Sequence, residues 1–282
     1  MELISAPADW RRLVDERRAV GESAALVPTM GALHAGHLSL LAAARRQAGF
    51  VGLSIFVNPL QFGERADLEN YPRRLEADLE KAAGAGVDAV FAPSVEAMYP
   101  AGRPATVVEP GRLGERLEGA SRPGHFAGVA TVLTKLFSLT GPCRAFFGEK
   151  DFQQLALVRQ VVSDLDLPVE VVGCPTVREA DGLALSSRNE RLSPAEREAA
   201  TCLHRALLAG LSCLREGREA QAAEEAMRQV VGREPLASLD YAVVVEETSL
   251  LPPAAGGSGR LRLLLAAQVG PVRLIDNLAG NC

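Results

Sequence analysis

The sequence predicts an α/β fold in which a parallel sheet is followed by a smaller α+β domain. In the first two-thirds of the chain, apolar runs of strand length alternate with segments of helical spacing. After Arg188 the order changes, and two helical segments are followed by three strand-like runs. Alternating strands and helices indicate a parallel sheet that is covered on both faces. We therefore expect two domains, at residues 1–178 and 179–282.

The elements of the first domain follow one another along the chain. The run VGLSIFVN is rich in β-branched residues, and the helical segment that starts at YPRR ends in glycine, a common helix stop. In such a sheet, ligands bind beyond the carboxyl ends of the strands. The predicted strands are 24–27, 51–58, 87–93, 143–148 and 168–175, and the predicted helices are one from about residue 37 and those at 71–86, 125–140 and 151–165.

The second domain is predicted to open with a helix at Ser193-Pro194, because serine followed by proline is a helix-start signal. A second helix, AAEEAMRQVV, follows it. Three strand-like runs come last, LDYAVVVEE, LRLLLAAQVG and VRLIDNL. The turn-rich stretch PPAAGGSGR (252–260) connects the first two of these strands.

Composition argues against several classes of protein. The 282 residues are 48% hydrophobic and 23% charged, with a formal net charge of -5, so the chain has no overall basic field for nucleic acid. The N-terminal segment carries charges where a signal peptide needs apolar residues, and no apolar run reaches the ~20 residues of a membrane span. Five widely spaced cysteines without C-x-x-C argue against a disulfide framework or a zinc knuckle. We expect a cytoplasmic protein.

The decapeptide PTMGALHAGH, residues 28–37, is the most informative stretch of the chain. It places His34 and His37 three residues apart, where a predicted strand turns into a predicted helix. Backbone N–H groups and the positive end of the helix dipole make such a junction an anion site. Gly31 and Gly36 allow a ligand to approach the backbone closely, and the imidazoles add hydrogen-bond donors. The alternatives are a pair of zinc ligands, for which no third ligand is nearby, or ordinary surface histidines.

Two further loops carry groups that suit phosphate. GEKD (148–151) lies at another strand–helix junction, where Lys150 could act as a compact charge or could simply be an exposed lysine in a turn. LSSRN (185–189) offers two hydroxyls and a guanidinium, although it could equally be a helix cap or a linker. The chain has neither a Walker A loop nor the G-x-G-x-x-G fingerprint of dinucleotide-binding enzymes.

Neutral amides at the same predicted sheet edge suit a small hydroxy acid. Gln61 and Gln154 each offer a donor and an acceptor without a charge to desolvate, although either residue alone could be structural. His125 could orient a loop or touch a ligand. His204 lies on an apolar helical face, which favours a packed histidine.

These segments together resemble the pantothenate synthetase (pantoate–β-alanine ligase) family. The matching stretches occur in family order over residues from about 24 to 278, and one small departure is Ala35, where many members carry an acidic residue. They are PTMGALHAGH, SIFVNPLQF, YPR, LEGASRPGHFAGVATV, FFGEKDFQQL, the segment from Cys174 through READGLALSSRN, and RLIDN.

The resemblance implies a Rossmann-like nucleotide-binding domain of the HxGH nucleotidylyltransferase type, a C-terminal domain that acts as a lid, and a homodimer. The implied reaction requires Mg²⁺. ATP and (R)-pantoate form a pantoyl adenylate and pyrophosphate, and the amine of β-alanine then displaces AMP to give pantothenate.

The resemblance also implies a role for particular residues. His34, His37 and Lys150 would be catalytic, with His37 as the assigned proton donor. Gln61 and Gln154 would bind pantoate, with Gln61 also near β-alanine, and Asp78 would be a Mg²⁺ ligand. The implied ATP-binding residues are Met30, Gly31, Ala32, Leu33, His34, Ala35, Gly36, His37, Gly148, Glu149, Lys150, Asp151, Val177, Leu185, Ser186, Ser187 and Arg188.

Two other functions are compatible with parts of this sequence. A nucleotidylyltransferase would share the HxGH motif and a serine-rich phosphate loop, but it would need a cationic pocket for a phosphorylated acceptor, where this chain has paired glutamines. A catalytically silent nucleotide-binding module is the third hypothesis, and the intact His34, His37 and Lys150 argue against it.

Overall fold

The computed structural model describes residues 1–63, 68–254 and 259–280. The chain forms two compact units. The first comprises Met1–Glu149 and Gln153–Pro175, and the second comprises Lys150–Phe152 and the chain from Thr176 onward. The predicted turn-rich connection at 252–260 lies partly outside the described residues. No helix in the described ranges combines the length and the apolar character that a membrane crossing needs.

The first unit contains a six-stranded sheet with strand order β1-β4-β3-β2-β5-β6, in which every pairing is parallel. This confirms the predicted α/β class. Burial on both faces explains the apolar runs by which the strands were identified. The strands are β1 Glu2–Ile4, β2 Ala24–Thr29, β3 Phe50–Ile55, β4 Ala89–Phe91, β5 Cys143–Gly148 and β6 Val169–Cys174.

Helices connect these strands. Helix α6 and strand β5 have the bounds that the sequence predicts, and α7 differs from its prediction by one residue at each end. The helices are α1 Pro7–Ala19, α2 Ala35–Arg45, α3 Leu75–Gly84, α4 Val95–Met98, α5 Glu118–Ser121, α6 His125–Thr140 and α7 Phe152–Asp164, with 3₁₀ turns at Pro59–Gln61, Gly111–Gly114 and Glu149–Asp151.

The N-terminal elements β1 and α1 were absent from the sequence-based prediction. Strand β1 has only three residues, which is too short for a recognisable alternation. Helix α1 is highly charged and buries a narrow stripe of three residues, Trp10, Leu13 and Val14. The indole of Trp10 stacks on Phe91 of β4, with ring centroids 5.3 Å apart, and its Nε1 donates to the Thr140 hydroxyl at 3.1 Å. Trp10 therefore anchors α1 to the sheet.

Gly52 in β3 provides the space for Trp10. A Cβ at Gly52 would overlap the far edge of the indole ring. We predict that Gly52→Ala lowers the free energy of unfolding by roughly 1–3 kcal/mol, the usual cost of overpacking a core. Thermal unfolding would measure the lower Tm. Gly84→Ala is the matched control, because an added Cβ there meets no atom within 4 Å. A Gly52→Ala protein with the wild-type Tm would contradict this packing argument.

The second unit is a small α+β fold, as the sequence predicts. Strands β7 Ala237–Glu246, β8 Leu261–Val269 and β9 Val272–Ala279 form an antiparallel sheet in the order β7-β8-β9. Its helices are α8 Pro194–Ala199, α9 Cys202–Arg215 and α10 Ala220–Gly232. The helix predicted from Ser193 is thus two helices, α8 and α9. Fully buried residues from both layers fill the core, among them Leu207, Met227, Val244, Leu263 and Leu265.

His204 of α9 is half-buried in this second unit and contacts the chain at Gly182, where a Cβ would overlap its ring. Burial, together with the nearby positive charge of Arg178, lowers the pKa of His204. The neutral form is therefore favoured, which agrees with a packing role.

Candidate active site

The segment between β2 and α2 contains the HxGH motif and reverses direction over two residues of positive φ. Gly31 has φ +85°, and Ala32 follows with φ 52°. Glycine suits the first position because positive φ is strained for other residues and because a Cβ there would lie 2.9 Å from Oδ2 of Asp78. The Thr29 hydroxyl donates to the Ser54 carbonyl at 2.8 Å and accepts from the Gly31 N–H at 3.2 Å, which fixes the start of the loop.

Asp78 and Lys81 of α3 hold the other side of this loop. The buried carboxylate of Asp78 accepts from the backbone N–H groups of Ala32 at 2.8 Å and Leu33 at 2.7 Å. The Lys81 ammonium donates to the Leu33 carbonyl at 2.6 Å. Neighbouring turns of one helix therefore fix both the N–H and the C=O groups of the loop.

The assignment of Asp78 as a Mg²⁺ ligand stays a prediction, and the contacts of Asp78 favour a different role. Both of its oxygens accept backbone N–H groups, and the residue is only 1% exposed. In the described part of the chain, no group of three or more His, Cys, Asp or Glu side chains could hold a metal ion. We interpret Asp78 as the anchor of the HxGH loop.

The two motif histidines cap α2 through a reciprocal pair of hydrogen bonds. Nδ1 of His34 accepts from the Gly36 N–H at 3.1 Å, and Nδ1 of His37 accepts from the His34 N–H at 3.3 Å. The two rings lie with centroids 4.1 Å apart. Gly36 makes this cap possible, because a Cβ there would lie 2.8 Å from Cε1 of His34.

This capping geometry fixes the tautomer of both rings. A backbone N–H can only donate, so each Nδ1 acts as an acceptor and the neutral ring carries its proton on Nε2. Each imidazole is therefore a hydrogen-bond donor through Nε2 without taking up a second proton. The same segment is the N-terminus of α2, where N–H groups and the helix dipole favour an anion. The geometry suits the binding of phosphate oxygens.

Gln61 is buried at the end of a 3₁₀ turn in the same unit and has several polar contacts. Its Oε1 accepts from Nδ2 of Asn58 at 3.1 Å, and its Nε2 lies 3.2 Å from the sulfur of Met30, a residue of the HxGH segment. The structure therefore brings together two of the residues that the sequence assigns to ligand binding, Gln61 and Met30.

His125 supports the backbone of the Gln61 turn. Its Nδ1 lies 2.8 Å from the Gln61 carbonyl, which can only accept, so Nδ1 carries the proton. Nε2 of His125 lies 3.2 Å from the Arg122 guanidinium, which can only donate. Of the two roles that the sequence leaves open for His125, orienting a loop or touching a ligand, these contacts favour the first.

The two glutamines at the start of α7 have different environments. Gln153 is buried, and its amide bonds the Glu118 N–H and the carbonyls of Leu113 and Arg116 at 2.8–3.0 Å. Gln154 is half-buried, and its side chain makes no hydrogen bond to the described residues. Gln153 thus stabilises a loop, whereas the amide of Gln154 retains its hydrogen-bonding capacity.

The GEKD segment is divided between the units: Gly148 and Glu149 belong to the first, and Lys150 and Asp151 to the second. The Lys150 ammonium lies 3.7 Å from the Asp151 carboxylate. Its carbonyl accepts from Nδ2 of Asn277 in β9 at 2.9 Å. Asn277 lies in the RLIDN segment, for which the sequence predicts no role, and the structure shows that it supports the backbone of Lys150.

The serine-rich loop of the second unit is a 3₁₀ turn, Ser187–Arg191, that Ser186 caps by accepting from the Arg188 N–H at 3.3 Å. Leu185 donates its N–H to the Val177 carbonyl at 3.0 Å, so these two predicted ATP-binding residues are neighbours. This cap agrees with the interpretation of LSSRN as a structural helix cap. The hydrogen bond uses only the Ser186 hydroxyl and the Arg188 backbone, so the Ser187 hydroxyl and the Arg188 guanidinium take no part in it.

A partly buried ion pair holds the segment that precedes this loop. Arg178 donates through both terminal nitrogens to the Asp276 carboxylate at 2.6 and 2.8 Å. Asp276 is 3% exposed, so breaking the pair would leave a buried charge. Both residues lie within motifs that match the family, but the motifs do not reveal the pair, because the two residues are 98 positions apart in the chain.

Comparisons with known proteins show which family the chain belongs to. The family model described as pantoate-beta-alanine ligase matches residues 2–279. A pantothenate synthetase from Moorella thermoacetica is 53% identical over 279 residues, covering 99% of this chain and 98% of the relative. A second pantothenate synthetase, from Mycolicibacterium smegmatis, is 53% identical over 99% of this chain and 87% of the relative.

Solved structures show the same similarity. The crystal structure of pantothenate synthetase from Thermus thermophilus matches with a TM-score of 0.90 and 48% identity, over 99% of each chain. The Francisella tularensis pantoate-beta-alanine ligase complexed with "Beta-gamma ATP and Beta-alanine" matches with a TM-score of 0.79 and 33% identity, over 100% of this chain and 98% of the other. The chain therefore belongs to the pantoate–β-alanine ligase family.

Proposed function

We propose that this protein joins (R)-pantoate to β-alanine with ATP, through a pantoyl adenylate, and releases AMP and pyrophosphate. Family membership over residues 2–279 supports the reaction class. The observation that carries the proposal to the site is the cap that His34 and His37 form at the start of α2, in which each Nδ1 accepts a backbone N–H and the proton of each neutral ring therefore lies on Nε2. The Francisella relative is complexed with an ATP ligand and with β-alanine, which are the substrates proposed here.

The chemistry explains why such a site is needed. A carboxylate is a poor electrophile, and conversion into an acyl adenylate gives it AMP as a leaving group. The carboxylate attacks the α-phosphorus of ATP, the bond to the β-phosphate oxygen breaks, and pyrophosphate leaves. Positioned donors lower the repulsion between the two anions and stabilise the charge that develops on the phosphates. The amine of β-alanine then attacks the acyl carbon, and AMP leaves with the electron pair of the broken C–O bond.

The roles of individual residues remain part of this proposal. The HxGH segment, the GEKD turn and the loop from Leu185 to Arg188 bind ATP, with Val177 beside the nucleoside, and Lys150 binds its phosphates. Gln61 and Gln154 bind pantoate, and Gln61 also lies near β-alanine. The first domain binds nucleotide and acid, and the second acts as a lid that keeps water from the anhydride. A homodimer in the cytoplasm is the proposed state of the protein.

Mg²⁺ is part of the proposed reaction through family resemblance alone. The described residues do not fit a metal site built by protein side chains, since Asp78 is bonded to backbone N–H groups and no cluster of three candidate ligands is present among them. Mg²⁺ bound to nucleotides is often held chiefly by phosphates and water. The steps above therefore depend only on groups of the chain and of the substrates.

Pantoate-dependent exchange between ATP and labelled pyrophosphate tests the proposal. The purified protein should catalyse exchange with pantoate and ATP, and it should form AMP and pantothenate when β-alanine is added. A nucleotidylyltransferase would require a phosphorylated acceptor instead, and a silent module would bind ATP without forming AMP. Absence of exchange with pantoate and Mg²⁺ present would overturn the proposed function.

We predict that Gln154→Ala raises KM for pantoate about tenfold, the equivalent of one lost hydrogen bond of about 1.4 kcal/mol. KM for ATP and Tm should change little, because the Gln154 amide bonds no described residue. Steady-state kinetics and thermal unfolding provide the measurements. Gln153→Ala is the matched comparison, and it should lower Tm because three backbone groups lose their partner. A primary loss of ATP affinity in Gln154→Ala would contradict the assignment.

A further inference from the structure

We infer that Asn58, locked by Gly128 and Tyr99, sets the direction of the Gln61 amide, so that Gln61 offers its NH₂ group and not its oxygen to the acid substrate. Asn58 is thus a positioning residue, and the ligand feature that it selects is an oxygen acceptor, such as a carboxylate or hydroxyl oxygen. This inference rests on the proposed function in one respect, the contact between Gln61 and pantoate.

The orientation of the Asn58 amide is determined by groups that have only one hydrogen-bonding role. Asn58 is 1% exposed. Its Nδ2 lies 3.1 Å from the Gly128 carbonyl, which can only accept. Its Oδ1 lies 3.3 Å from the Leu60 N–H, which can only donate. A flipped amide would place two acceptors together on one side and two donors on the other, so only one orientation satisfies both contacts.

Tyr99 reinforces that orientation. Its hydroxyl donates to Oδ1 of Asn58 at 2.9 Å, inside the core of the first unit. Burial raises the pKa of Tyr99 well above its ordinary value, so the hydroxyl keeps its proton and remains a donor. Oδ1 of Asn58 thus receives two donors, and Nδ2 is left for acceptors.

The direction of Asn58 determines the direction of Gln61. The second hydrogen of Nδ2 points to Gln61, where it meets Oε1 at 3.1 Å. Reversing the Gln61 amide would bring two NH₂ groups together in a buried position, which is unfavourable. Nε2 is therefore the opposite end of the amide, 3.2 Å from the sulfur of Met30. A thioether is a weak acceptor, so Nε2 retains most of its capacity for a substrate oxygen.

Gly128 makes the arrangement possible through its lack of a side chain. Helix α6 approaches the Pro59–Gln61 turn so closely that a Cβ at Gly128 would overlap the Leu60 carbonyl and lie 2.7 Å from the Gln61 nitrogen. Only this approach brings the Gly128 carbonyl within reach of Asn58. Gly128 of α6 thus acts on the Gln61 side chain through Asn58, whose Nδ2 donates to the Gly128 carbonyl.

The test compares Asn58→Asp with Asn58→Ala. Aspartate has nearly the shape of asparagine, but as a carboxylate it can only accept, so it would attract the NH₂ group of Gln61 and turn the Gln61 oxygen toward the substrate. Alanine leaves the Gln61 amide free to rotate. We expect KM for pantoate to rise roughly 100-fold in Asn58→Asp and about tenfold in Asn58→Ala, with KM for ATP changed less than about twofold in each.

The ranking separates positioning from packing. If Asn58 served only to fill space, the near-isosteric Asn58→Asp would be the milder change, and that ranking would overturn the inference. Because a buried carboxylate can prevent folding, Gly128→Ala provides a second variant, with Gly84→Ala as its control. Gly128→Ala should raise KM for pantoate about tenfold and leave KM for ATP unchanged. A wild-type KM for pantoate in Gly128→Ala would also overturn the inference.

Failure of the inference can be distinguished from failure of the proposed function. Wild-type protein without pantoate-dependent exchange would remove the proposed reaction itself. If the wild-type protein catalyses exchange but Asn58→Asp is milder than Asn58→Ala, only the role of Asn58 and Gly128 would be overturned.

Discussion

Replacing His37 with alanine is expected to slow pantoate-dependent ATP–pyrophosphate exchange by roughly 10² or more, the scale seen when a positioned donor to a developing charge is lost. The variant loses the Nε2 donor and also the cap on the His34 N–H. Lys150→Ala should have an effect of the same order, because its ammonium is the proposed phosphate contact. Near-normal turnover in both variants would show that the phosphates bind elsewhere.

Glutamine at position 37 separates two possible roles of the histidine. In the structure, Nδ1 of His37 accepts a backbone N–H, so the neutral ring has one proton, on Nε2. Giving that proton away would leave an imidazolate, whereas sharing it in a hydrogen bond requires no transfer. A glutamine NH₂ group can take the place of Nε2–H as a donor, but it cannot act as an acid. We therefore expect His37→Gln to retain about tenfold more exchange activity than His37→Ala.

Rapid-quench measurement of adenylate formation would compare the two His37 variants at saturating ATP and pantoate. Thermal unfolding serves as the control, since both variants alter the same cap. Equal, severe loss in His37→Gln and His37→Ala would favour proton donation, the role implied by family resemblance, over charge stabilisation.

The sequence predicts a helix or strand well where the apolar pattern and the start and stop signals of the segment agree with the way it packs in the fold. Helix α6 has a continuous apolar pattern that begins after Gly124 and ends before Gly141, and its bounds are predicted correctly. Helix α1 has no such apolar pattern, because arginines and acidic residues dominate its surface and only one narrow stripe is buried. Its position depends on Trp10 meeting Gly52 and Thr140, which are distant in the chain.

In the candidate site, too, local features can be predicted from the sequence, and contacts between distant residues cannot. The HxGH segment is recognisable because its chemistry and its strand–helix setting are local. The support of Gln61 is not recognisable, since Gly128 lies 70 residues from Asn58 and Tyr99 lies 41 residues from it. Asn58 and Gln61 are neighbours in one motif, yet the motif does not reveal which end of either amide faces inward. The orientation of both amides follows only from the neighbouring groups that can solely donate or solely accept, such as the Leu60 N–H and the Gly128 carbonyl.

Removing the Asp78 carboxylate is expected to damage both the stability of the protein and its binding of ATP. Asp78→Ala would leave the N–H groups of Ala32 and Leu33 without their acceptor, and an unsatisfied buried group costs about 1–3 kcal/mol. The loss falls on the loop that positions His34, so KM for ATP should rise together with a fall in Tm. Asp78→Asn should have an intermediate effect, because one oxygen remains as an acceptor while its NH₂ group meets an N–H donor.

The magnesium dependence of Asp78→Asn distinguishes the loop anchor from a metal ligand. A loop anchor predicts a lower Tm measured without Mg²⁺ and a raised KM for ATP that excess Mg²⁺ does not restore. A metal ligand predicts the wild-type Tm and an activity that recovers as Mg²⁺ is raised. Glu80→Ala, on the exposed face of the same helix, is the control for general effects on α3 and should change neither quantity. If excess Mg²⁺ restored the activity of Asp78→Asn and its Tm were unchanged, the role as loop anchor would be contradicted and the role as Mg²⁺ ligand would be supported.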